Sequence, residues 1–73
     1  FLNNIEKLIL KNNILKTISN KTCLNLSNLK ELDLSNNFIE KIEKDSFKQM
    51  NKLKKLNLSS NNFEEIDFDA PKS

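Results

Sequence analysis

The chain has 73 residues, a formal net charge of +2, one Cys, one Pro, no His and no Gly. A core of this size supplies only a few kcal/mol, and the single Cys23 cannot staple it with an internal disulfide. Lacking His and a second Cys, it also lacks the usual zinc ligand sets, an imidazole base and a Cys/His dyad, so no catalytic residue, metal ligand or cofactor motif is assigned and no enzyme is expected.

In chain order the first predicted element is a strand near residues 7–11. Leu8 and Leu10 point inward there and Ile9 outward, as the two-residue period of a strand requires. Asn13 follows, then the apolar positions Leu15 and Ile18. Thr22-Cys23-Leu24-Asn25 is a weak helical-turn signal, with Cys23 read as a small buried hydrophobe. A second strand is predicted near 31–35 around Leu32 and Leu34, followed by Asn37, Ile39 and Ile42. Ser46-Phe47-Lys48-Gln49 has the spacing of a capping box, which predicts a single helical turn carrying Phe47 and Met50 into the core. A third strand is predicted near 55–59 around Leu56 and Leu58, followed by Asn61, Phe63 and Ile66. The pattern breaks from Asp67 to Pro71.

These elements repeat with a period of 24 residues and no insertion. Ile5, Leu29 and Leu53 share a column, and so do Leu2, Leu26 and Met50. The reading L-x-x-L-x-L-x-x-N-x-L-x-x-I, with Phe47 and Met50 downstream, resembles the leucine-rich repeat in its 24-residue extracellular form. Within that family it is most similar to a Toll-like receptor ectodomain. The resemblance implies an α/β leucine-rich repeat solenoid of three stacked repeats, about 5–28, 29–52 and 53–73. A short parallel sheet would line its concave face, with loops or single helical turns on the convex face. Stacking is needed because each repeat alone leaves its Leu face wet. Uncapped ends, and a start at Phe1 rather than Met, lead us to expect a segment excised from a longer solenoid.

Asn13, Asn37 and Asn61 fall where each strand ends and backbone groups lose their ladder partners. A side-chain amide offers both donors and an acceptor there, and the resemblance implies an asparagine ladder. Alternation also assigns an open sheet face, from which Lys7, Ile9, Lys11, Lys30, Glu31, Asp33, Lys54, Lys55 and Asn57 are the binding candidates. Ser35 and Ser59 are counted outward with them. Glu31 should lie between Lys7 and Lys55, and Glu6 beside Lys30. The sequons at Asn20, Asn25 and Asn57 are glycosylation candidates, and since this composition yields about half as many by chance, the excess is too small to establish secretion.

By resemblance the chain is expected to be a ligand-recognition or protein-interaction scaffold, part of a Toll-like innate immune receptor ectodomain in the extracellular space or endosomal lumen. Its partner would be a protein or pathogen-derived ligand held by the parent solenoid. The alternative is a set of spacer repeats in a secreted or adhesion protein that touch no ligand. Its longest apolar run, Leu8 to Leu10, is far too short for a membrane span of roughly 20 residues. Every basic residue is Lys, so the guanidinium forks that read guanine edges are missing, and any nucleic acid would be held through phosphate alone. The open face has no Arg and no aromatic anchor, so residues 1–73 alone are expected to bind no ligand with useful affinity.

Overall fold

The computed structural model describes residues 4–22 and 25–63, and the backbone of residues 65 and 66. Leu2, Cys23, Glu64, the side chain of Ile66 and the break at Asp67 to Pro71 lie outside the described residues. Six short strands follow in order: β1 (Lys7–Ile9), β2 (Thr17–Ile18), β3 (Glu31–Asp33), β4 (Lys41–Ile42), β5 (Lys55–Asn57) and β6 (Glu65–Ile66).

They form two three-stranded sheets, ordered β1-β3-β5 and β2-β4-β6, and every pairing is parallel. Register follows the period of the sequence. Leu8 pairs with Leu32 and Leu32 with Leu56, while Ile18 pairs with Ile42 and Ile42 with Ile66. This arrangement puts the Leu columns on one side, where each copy covers the apolar face of the next. The buried core comprises Ile18, Leu26, Leu29, Leu32, Leu34, Ile39, Ile42, Phe47, Met50 and Leu53. Ile5, Leu8, Leu10, Leu15, Leu56, Leu58 and Phe63 pack against it and are only partly buried.

Three features differ from the expectations. The strands begin at the expected places but end after three residues, and the Leu10, Leu34 and Leu58 positions follow them. Those positions stay linked to the neighbouring copy nonetheless, since the Leu10 amide donates to the Asp33 carbonyl and the Leu34 amide to the Asn57 carbonyl, both at 2.8 Å. The second sheet was not legible, because two residues per strand carry no measurable alternation.

No α-helix forms among the described residues, so the α/β label and the helical turn at Ser46 are corrected. Residues 44–49 run through turns in which the Ser46, Lys48 and Met50 amides donate to the Glu43, Asp45 and Phe47 carbonyls. A capping serine would accept a backbone N–H, whereas Ser46 Oγ is placed as a donor. It shares its proton between the Glu43 carbonyl and the Ile18 carbonyl of the preceding copy, the latter at 3.1 Å. Phe47 and Met50 enter the core without a helix.

Candidate functional site

The outer face of the β1-β3-β5 sheet carries the sequence-predicted binding residues. With Leu8, Leu32 and Leu56 turned toward the core, strand alternation turns Lys7 and Ile9, Glu31 and Asp33, and Lys55 and Asn57 the other way. These six residues, with Lys54, surround one open depression of about 590 Å³, and the three central leucines contribute to its lining. Lys11 and Lys30 are exposed and lie outside that lining. Ile9 is the apolar contribution at the outer face, at 58% exposed.

Charge on this face is partly consumed within it. Lys30 Nζ lies 3.6 Å from Glu6 Oε1, and Lys55 Nζ lies 3.9 Å from Glu31 Oε1. Both pairs join successive copies and are solvent-exposed, a setting in which such pairs contribute about 0–1 kcal/mol. Asp33 is engaged differently. Its Oδ1 accepts from the Ser35 hydroxyl at 2.6 Å and from the Ser35 amide at 3.0 Å. Those two bonds, the hydroxyl first, hold the carboxyl below its ordinary value of 3.8. Partial desolvation opposes them, and the charges of Lys11 and Lys7 assist.

The same bonds revise one assignment. Ser35 was counted with the outward residues, yet it is 3% exposed. The strand ends at Asp33, so alternation no longer applies two residues later, and the Asp33 side chain closes over the Ser35 amide instead. Asn57 and Ser59 repeat the geometry, at 2.8 Å for the hydroxyl and 3.0 Å for the amide, but Ser59 is exposed.

Directly behind this face runs the asparagine column. Asn37 Nδ2 donates to the Leu10, Leu34 and Ser35 carbonyls at 3.1, 2.9 and 3.1 Å, and its Oδ1 accepts from the Leu15 amide at 3.1 Å. Asn61 does the same one copy later, bonding the Leu34, Leu58 and Ser59 carbonyls and the Ile39 amide. Asn13 donates only to Leu10 and Lys11 of its own copy. Burial tracks these bonds: Asn37 is 5% exposed, Asn61 half-buried and Asn13 exposed. A copy on each side is what buries the amide, and Asn37, in the central repeat, is the member of the column that has both.

Asn20, Asn25 and Asn57 are all exposed, and Asn25 takes a left-handed φ of 70°. Asn57 Oδ1 is occupied by Ser59, the third residue of its own sequon. Among the described residues no group of three or more His, Cys, Asp or Glu could hold a metal ion, and no helix is long and apolar enough to cross a membrane. Sequence reading overlooked Ile14 and Phe38, two exposed apolar side chains outside the sheet face. Their signal was present, as an apolar residue directly after Asn13 and again directly after Asn37.

No curated protein matches the chain significantly. The family model described as leucine rich repeat matches residues 3–63, which takes in β1 to β5 and every asparagine of the column. Repeats of this kind are typically protein-interaction modules without enzymatic activity. With the 24-residue period, the in-register parallel sheets and that match in agreement, the chain belongs to the leucine-rich repeat family.

Proposed function

We propose that the chain is a ligand-recognition or protein-interaction scaffold, working as part of a Toll-like innate immune receptor ectodomain. On this reading its three repeats stack with the β1-β3-β5 sheet on the concave side. That side holds a protein or pathogen-derived ligand jointly with further repeats. The observation that carries the reading is the convergence of Lys7, Ile9, Glu31, Asp33, Lys54, Lys55 and Asn57 on one open depression. Standard interfaces bury about 800 Å² per partner, more than three short strands present, which is why the contact is shared. A nucleic acid would be held by phosphate contacts to Lys7, Lys11, Lys30, Lys54 and Lys55, with affinity falling steeply as salt rises.

The test is a capped graft of these repeats titrated with protein ligands, nucleic acid and anionic glycans at low and physiological salt. Saturable binding lost in Lys54→Ala/Lys55→Ala supports recognition at this face, salt-resistant for a protein ligand and steeply salt-sensitive for a nucleic acid. Since the contact is shared, absence of binding by the graft is expected on either reading, and binding by the whole parent solenoid that is indifferent to Lys54→Ala/Lys55→Ala supports the second reading, spacer repeats that touch no ligand. That reading is favoured by the Glu6–Lys30 and Glu31–Lys55 pairs, which satisfy part of the face internally. An extracellular or endosomal address goes with the receptor reading, and the exposed sequons are where it can be tested. Expression through a secretory route should give a mass shift on N-glycosidase treatment, reduced in Asn20→Gln and lost when Asn25 and Asn57 are also replaced by Gln, while an unmodified secreted chain would count against it.

A further inference from the structure

Away from the sheet face, the flank following the asparagine column carries its own pattern. Ile14 is 79% exposed and Phe38 is 50% exposed, and the two occupy the same position in successive copies. The Phe38 amide donates to the Leu15 carbonyl and the Glu40 amide to the Lys16 carbonyl, both at 2.9 Å. Residues 14–16 and 38–40 therefore run side by side at a strand-like spacing of about 5 Å. Leu15 and Ile39 turn into the core. That leaves Ile14 and Lys16 exposed on one segment, and Phe38 and Glu40 on the other. The four outline a rectangle, with an apolar pair along one side and an opposite-charge pair along the other. Neither Lys16 nor Glu40 belongs to the ion pairs found among the described residues, which join Lys30 to Glu6 and Lys55 to Glu31.

We propose that this flank is a self-association surface, on which a second copy of the chain docks across a two-fold axis lying parallel to the two segments and midway between them. That operation exchanges the segments. Phe38 then meets Ile14 of the second copy, Ile14 meets its Phe38, and Lys16 and Glu40 each face the opposite charge. An axis in the same plane but perpendicular to the segments would press Ile14 onto a lysine and Phe38 onto a carboxylate, so the pattern selects one arrangement. Charge is what favours a second copy over an unrelated protein, because the rectangle is its own complement and satisfies the self-matching that an isologous contact demands. The corresponding apolar position in the third copy is Asn62. The contact is therefore small, and the association is weak and concentration-dependent. It stands apart from the sheet face and does not rest on the receptor reading.

The experiment is sedimentation velocity of the 73-residue chain across a wide concentration series, with circular dichroism to verify folding of each variant. A reversible monomer–dimer equilibrium is expected, abolished by Phe38→Ser. Lys16→Glu and Glu40→Lys should each weaken it by about tenfold or more, and the double variant Lys16→Glu/Glu40→Lys should return it to within about threefold of the original. Should Phe38→Ser unfold, the exposed charge variants decide alone. A chain monomeric throughout overturns the proposal, as does a double variant that recovers nothing. Association indifferent to the single charge reversals overturns it equally, being the result expected of end-to-end pairing through the open edges of β1 and β5.

Discussion

The bend after β3 and the bend after β5 are built from nearly the same residues, Asp33-Leu34-Ser35-Asn36-Asn37 and Asn57-Leu58-Ser59-Ser60-Asn61. Their internal hydrogen bonds match within 0.2 Å in each pair compared, yet Leu34, Ser35 and Asn37 are buried while Leu58 and Asn61 are half-buried and Ser59 is exposed. The motif fixes the local bend, and its burial comes from the copies on either side. Stability in such an array is a sum of neighbour contacts, so identical residues contribute unequally according to position.

That inequality can be broken most strongly at the leucines. Leu34→Ala should cost roughly 2–5 kcal/mol, because a fully enclosed side chain leaves a cavity, and Leu58→Ala distinctly less. Equal shifts of the urea midpoint in the two variants would contradict the comparison. Next comes the asparagine column. Asn37→Ala should cost roughly 1–3 kcal/mol by stranding buried backbone groups, followed by Asn61→Ala and then Asn13→Ala, whose bonds stay within one copy. A different order in denaturant unfolding would show that the inter-copy bonds are not what matters.

A smaller effect is expected at the left-handed position of each bend. Asn12, Asn36 and Ser60 have φ of 63°, 54° and 57°, and Ser tolerates this region less well than Asn. Ser60→Asn should stabilise by about 0.5 kcal/mol, read as a rise in thermal midpoint, while Asn36→Ser should do the reverse. The smallest difference is one of pH. The Ser35 hydrogen bonds hold the Asp33 carboxyl below its ordinary value of 3.8 in the folded chain, so its contribution is full above that unfolded value and fades as pH falls through the lower folded one. Asp33→Asn, which copies the Asn57 arrangement, should flatten that acid limb in a pH series of unfolding curves. An unchanged limb would mean that the carboxylate is not what responds.

Much of the first sheet was legible because Leu8-Ile9-Leu10 and its copies alternate and recur at a fixed spacing, so register followed from the period alone. The second sheet was not, since Thr17-Ile18 and its counterparts are too short to show a period of two. Ser46 was misread for a chemical reason: a hydroxyl can accept or donate, and spacing to Gln49 does not say which. Ser35 was misplaced because alternation was extended past the end of β3. At the open face, seven of nine candidates meet at the depression, while Lys11 and Lys30 do not. A strand pattern states which way a residue turns, but not how far along the sheet a depression extends.

The left-handed bends have a consequence for the chain before it folds. Five described residues, Asn12, Asn25, Asn36, Asp45 and Ser60, take positive φ, and none is glycine, because the sequence contains none. Glycine would adopt these angles without strain but would enlarge the set of conformations open to the denatured chain, at a cost of roughly 0.5–1 kcal/mol per site on folding. Asn and Asp accept a modest local penalty in the native bend and keep the denatured ensemble narrower. A chain with so small a core therefore offsets part of the local strain in its bends through what it withholds from the unfolded state.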